Sequence, residues 1–151
     1  MIIVMKFKKM FLMMLLPLSA FSNNKIFFQC ATENGSINLA LVGENLKLTM
    51  KNNDSIFIEQ SSKLLESKGF SYNYYSRYNT EYYRVTYSNN NMGYAIYKNY
   101  EDGQYNSGLQ VTDLSVNKEY NFDCNKIKVD KLDELFNILD CDKESALGCM
   151  H

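Results

Sequence analysis

Tryptophan is absent, histidine and proline occur once each, and arginine occurs only at Arg77 and Arg84 in 151 residues. Each scarcity excludes something. A Ser–His or Cys–His nucleophilic system would have to draw on His151, at the chain end where residues are most mobile. Pro17 lies in the N-terminal apolar region, so every later turn must rest on Asn, Asp or Gly. No Gly-rich phosphate loop, dinucleotide fingerprint or metal motif occurs, so no cofactor and no metal are expected. The apolar run Met10 to Leu16 is too short to span a bilayer.

That run follows Lys6, Lys8 and Lys9 and precedes Ala20-Phe21-Ser22, the order of a basic region, an apolar region and a small-residue cleavage site. Residues 1–22 are therefore expected to be a secretory signal cleaved after Ser22, with Met5 as the start of translation, and residues 23–151 one β-rich domain. The first cysteine, Cys30, stands well beyond the apolar run, so no lipid anchor is expected. Losing three lysines leaves thirteen basic against seventeen acidic side chains, a net charge of about −4. Such a surface disfavours nucleic acid and anionic lipid and suits a basic protein partner.

Four cysteines in an exported chain of this size read as two disulfides. Of the three pairings, Cys30 with Cys124 would tie the opening strand to the last one, and Cys141 with Cys149 would staple the tail across a short loop. The competing arrangement, a metal held by Cys141, Cys149 and His151, matches no common zinc spacing and is disfavoured where thiols oxidise.

Hydrophobic residues alternate along most of the chain. Ile26 to Cys30 starts the pattern; Ile37, Leu39 and Leu41 follow the turn Asn34-Gly35; Leu46, Leu48 and Met50 follow Gly43-Glu44; Ser55 to Gln60 follows Asn52-Asn53-Asp54. Ser61 to Gly69 breaks the period and is expected to be a loop or one helical turn. Aromatic strands then run over 70–75, 82–88, 94–98, 109–114 and 119–124, with turns at 77–80, 89–91, 101–108 and 115–118. About nine short strands predict a mostly β fold, an antiparallel meander forming a small barrel or sandwich. Over 127–151 the period changes. Leu132, Leu135, Phe136 and Leu139 lie at helical spacing with Asp130 as N-cap and Asp133 at the third position, which predicts one C-terminal amphipathic helix, followed by a disulfide-stapled tail.

Eleven of the twelve tyrosines and both arginines fall between Tyr72 and Tyr105. Tyrosine is a large, stiff, amphipathic contact of low entropic cost, and with arginine it dominates the residues that carry protein–protein binding energy. The same residues also fill strands well, so any one of them reads either as interface or as core. Arg84 is expected to make an internal pair. Glu81, Glu101 and Asp102 lie among the tyrosines and could supply a carboxylate pair for glycan chemistry, although acids on turns are usually solvated.

The runs Gly69-Phe-Ser-Tyr-Asn-Tyr-Tyr-Ser-Arg-Tyr78, Glu81-Tyr-Tyr-Arg-Val85 and Tyr94-Ala-Ile-Tyr97, with Val111-Thr112 before Cys124 and the closing Cys141-Asp-Lys-Glu-Ser-Ala-Leu-Gly-Cys149, resemble a family of small exported proteins of Gram-negative bacteria. Small periplasmic proteins of similar plan include immunity proteins that neutralise type VI secretion effectors, and lysozyme inhibitors. The resemblance implies a periplasmic, non-enzymatic binder of a secreted toxin or envelope hydrolase. Within the tyrosine run, Tyr74, Tyr75, Arg77 and Tyr78 are the expected contact residues, on a strand end and turn where side chains can project. The lysozyme-inhibitor version is weaker, because only Ser67-Lys68-Gly69 suggests that family's recognition loop. The β-rich pattern and the tyrosine-flanked acids also leave room for a small-ligand-binding barrel or a glycan-active enzyme.

Overall fold

The structure, a computed structural model, describes residues 24–66 and 68–149. The expected signal segment, its cleavage after Ser22, Ser67 and His151 lie outside the described residues. Among the described residues eleven strands form two sheets. Sheet I has the order β10-β1-β2-β3-β4, built from β1 (Lys25–Ala31), β2 (Gly35–Val42), β3 (Asn45–Asn52), β4 (Ser55–Lys63) and β10 (Lys126–Asp130). Sheet II has the order β11-β5-β6-β7-β8-β9, from β5 (Ser71–Arg77), β6 (Thr80–Asn89), β7 (Met92–Glu101), β8 (Gln104–Asp113), β9 (Lys118–Asp123) and the two-residue β11 (Asp140–Cys141). The strands of both sheets pair antiparallel except for β11 with β5.

The hairpin turns rest on residues that accept positive φ. Every described non-glycine residue with positive φ is Asn or Asp: Asn53, Asp54, Asn79, Asn90, Asp102 and Asn117. These two side chains tolerate the left-handed region best, and Asn53-Asp54 and Asp102-Gly103, both positive at each position, close two-residue hairpins whose twist matches the strands.

The strands of sheet I cross those of sheet II rather than running along them. On β4, Phe57 meets Phe122 of β9 edge-on at 6.2 Å, whereas Gln60 donates to the Tyr94 hydroxyl of β7 at 3.2 Å. On β1, Cys30 is bonded to Cys124 beyond β9, while Lys25 at the other end pairs with Glu134, beside the rings that cover β5. Between the sheets Phe28, Ile37, Leu39 and Leu48 from one side meet Val85, Ile96 and Leu109 from the other. Each such fully buried side chain contributes about 1.5–3 kcal/mol.

Of the barrel or sandwich expected, the barrel is not formed: two sheets pack over a shared core, and the β4 and β9 edges approach through side chains but share no ladder. The expected C-terminal amphipathic helix is also corrected. Its segment forms a 3₁₀ helix, Leu132–Asn137, with Lys131 in the cap position and no side-chain cap bond. Lys126–Asp130 is taken up as β10 against β1, so Asp130 pairs with Lys98 at 2.7 Å instead of capping. In a 3₁₀ helix residues i and i+3 share a side, so Leu132 and Leu135 both reach the core, and Leu139 is buried just past the end. A segment this short has no helical stability of its own, and its backbone follows the packing.

The cysteines pair as Cys30–Cys124 and Cys141–Cys149. The second pair consumes the thiols that a metal at the tail would have needed. Ser61 to Lys63 continues β4, and only the residues after it turn. Similarly, the segment 101–108 is mostly strand, with its turn confined to Asp102-Gly103.

Candidate functional site

Meander pairing gathers two hairpin tips at one end of sheet II. The β5–β6 tip is Tyr78-Asn79 and the β7–β8 tip is Asp102-Gly103, and the Asp102 amide donates to the Asn79 carbonyl at 3.0 Å. Tyr78 is 90% exposed and Tyr105 is 73% exposed, the two most open tyrosines among the described residues. Arg77 and Asp102 are exposed beside them.

Strand parity sorts the four expected contact residues. Tyr74 turns toward the 3₁₀ helix, its ring 4.6 Å from Tyr83 and 5.4 Å from Phe136. Tyr75 turns to the outer face of sheet II, where its ring lies 6.0 Å from that of Tyr82. Arg77 and Tyr78 stand exposed at the tip. The structure thus brings Tyr75, Arg77 and Tyr78 onto accessible surface and sets Tyr74 in an aromatic cluster. Within that cluster burial, reinforced by the hydrogen bond with Tyr74, pushes the Tyr83 hydroxyl far above the ordinary tyrosine range. Lys98 lies over the Tyr83 ring at 4.7 Å.

The tyrosine run therefore serves two purposes. Tyr72 and Tyr97 are buried, and Tyr87 and Tyr94 pack against the core. Tyr75, Tyr78, Tyr82, Tyr100 and Tyr105 gather at or near the tips. Tyr100 and Tyr105 face each other across β7 and β8 with centroids 4.8 Å apart. Tyr105 is not among the expected contacts. The Asp102-Gly103 pair was the signal that could have placed it on a strand.

The carboxylates do not assemble into a pair. Glu81 shares the inner face with Tyr83, whereas Glu101 accepts the Tyr82 hydroxyl on the outer face. Lys68-Gly69 lies at the far end of β5 from the tip. Arg84 is partly buried on the outer face, where its Nη1 donates to Gln110 Oε1 at 3.3 Å and its guanidinium lies 5.8 Å from the Tyr97 ring centre. Burial lowers its proton affinity, and Glu119 partly restores it. Among the described residues no three His, Cys, Asp or Glu side chains group to hold a metal. No helix among them is long and apolar enough to cross a membrane.

Comparison of the chain with protein-family models, with curated proteins and with solved structures gives no match.

Proposed function

We propose that this chain is an exported, periplasmic binding protein of the immunity type, which neutralises a cell-envelope effector by stoichiometric protein–protein binding through the two hairpin tips of sheet II. The observation that carries this reading is the exposure of Tyr78 and Tyr105 on adjacent tips with Arg77 between strand and turn. Two large rings held in water by a rigid sheet lose little conformational freedom on binding, which is the advantage of a preorganised interface.

Arg77 supplies the polar anchor. Its planar fork matches a carboxylate in two parallel hydrogen bonds, and an envelope hydrolase carries such a group in its active site. The net charge of about −4 after the expected cleavage favours approach of a basic target. Two disulfides fit an oxidising, exported environment. The resemblance of the Tyr/Arg run and the Cys-bounded tail to small exported proteins of Gram-negative bacteria points the same way.

The test is capture of a target from envelope extract with the mature chain, followed by affinity measurements on Arg77→Ala, Tyr78→Ala and Tyr105→Ala. Loss of binding in at least one of them with the thermal midpoint retained supports the proposal. Unaltered binding in all three places the interface elsewhere.

A further inference from the structure

A second accessible surface lies on the outer face of sheet II, reaching from the middle of its strands toward the tips. In register across the outer face, Arg84 of β6 stands opposite Tyr97 of β7, Tyr97 opposite Gly108 of β8, and Gly108 opposite Asp123 of β9. Gly108 has no side chain, and the Tyr97 ring lies down over it: a Cβ there would stand 2.7 Å from Tyr97 Oη and would also collide with the Phe122 carbonyl. The Tyr97 hydroxyl reaches Asp123. The result is a hollow of about 280 Å³ floored by Tyr97 and walled by Arg84, Asn99, Asn106, Gln110, Asn121 and Asp123.

The wall is held in place but not used up. Gln110 accepts from Arg84 at 3.3 Å and donates to Glu119 and to Asn121, each at 3.2 Å. A guanidinium has five N–H donors, and Arg84 makes no ion pair among the described residues. The Asn99 Oδ1 is buried with no partner among them.

Charge selects the ligand. The wall carries one cation, Arg84, and one carboxylate, Asp123, with Tyr97 and Gly108 between them. A free anion meets Asp123, and an apolar ligand finds almost nothing to bury against. Four amide side chains present donors and acceptors together, which is the complement of hydroxyl groups that both donate and accept. The volume is close to the lower end of ligand sites, ~300 Å³, enough for a single ring. Tyr82 stands opposite Asn99 in register, with Tyr75 beyond it, so an aromatic surface borders the hollow where the C–H face of a following ring would lie.

We propose that this hollow is a binding site for a neutral saccharide, one ring seated among Arg84, Asn99, Asn106 and Gln110 and the next against Tyr82. The hollow lies beside the hairpin tips, and the proposal does not depend on a protein interface there.

Amide NMR spectra of the mature protein titrated with chitotriose, cellotriose and glucuronic acid test the proposal. Expected are saturable shifts of the Asn99, Asn106 and Gln110 side-chain amides with at least one neutral trisaccharide, at millimolar affinity. Asn106→Ala, an exposed position, and Asn99→Ala should weaken that binding about tenfold or more with the thermal midpoint unchanged, the loss of one or two hydrogen bonds. Tyr78→Ala should leave it intact. No shifts at tens of millimolar trisaccharide would overturn the proposal, as would shifts with glucuronic acid alone, which would mark an anion site. Shielding of these amides by a captured protein without any saccharide binding would also overturn it, by assigning the hollow to protein contact.

Discussion

Cys30 of β1 is bonded to Cys124, the residue after β9, with Cα atoms 5.7 Å apart, so one disulfide joins the crossed sheets. The bond closes a loop of 94 positions, whereas Cys141–Cys149 closes one of 8. Chain-entropy arithmetic assigns about 4–5 kcal/mol to the first and about 2–3 kcal/mol to the second. Replacing Cys30 and Cys124 with Ser should therefore lower the denaturant midpoint further than replacing Cys141 and Cys149. Equal losses would show that the long loop is already restrained in the unfolded chain.

The short bridge depends on a buried amide. Asn73 is 1% exposed, and its Nδ2 donates to the carbonyls of Asp142 at 2.7 Å and Gly148 at 2.9 Å, pinning both sides of the Cys-bounded loop to β5. Asn73→Ala leaves both acceptors without this donor and should cost about 1–3 kcal/mol. Proteolysis and hydrogen exchange should increase first at residues 140–149, ahead of the rest of sheet II.

Residues along β5 and its tip should respond differently to alanine. Tyr74→Ala removes ring contacts with Tyr83 and Phe136 and is expected to destabilise the fold by about 2–4 kcal/mol. Arg77→Ala and Tyr78→Ala should leave the thermal midpoint within a few degrees, while at least one weakens target binding by about 2 kcal/mol or more. Thermal melts beside affinity measurements separate the two effects; a destabilised Tyr78→Ala would contradict the placement of that ring in solvent.

Tyrosine ionisation is expected to weaken the fold at alkaline pH. Burial raises the hydroxyls of Tyr83, Tyr94 and Tyr97 above their ordinary value of 10.0, and Asp123 raises Tyr97 further. Below pH 10 both folded and unfolded states keep these protons. Above it the unfolded chain releases them first and binds fewer protons, so stability is expected to fall as pH rises from about 10. Chemical denaturation across this range should show the decline, and Tyr97→Phe should make it shallower. An unchanged slope in that variant would exclude Tyr97 as a contributor.

Much of the β architecture is legible along the chain because it is written locally. Ile37, Leu39, Leu46, Leu48 and Met50 alternate with polar residues, and the period of two places each of them in the core. Asn and Asp mark the turns because, apart from glycine, few residues accept positive φ. The cysteine pairing is equally readable, since the two cysteines near the tail are separated by one small loop. Residues 126–137 were not legible. Lys126–Asp130 carries little hydrophobic signal, and it becomes a strand only because the edge of β1 is there to receive it.

The Tyr/Arg run shows where sequence stops. Composition identifies a stretch rich in binding residues, but Tyr74 and Tyr75 differ by one position and point to opposite faces. Which face is core depends on the register of β5 against β6 and on the 3₁₀ helix that covers one side, both of them contacts distant in sequence. Local alternation and turn chemistry determined that this chain makes antiparallel strands with two disulfides. Only the crossing of two sheets decided which tyrosines support the core, which stand at the tips, and that Arg84, Asn99 and Asp123 line one hollow, because non-local packing alone brings separate strands onto a common face.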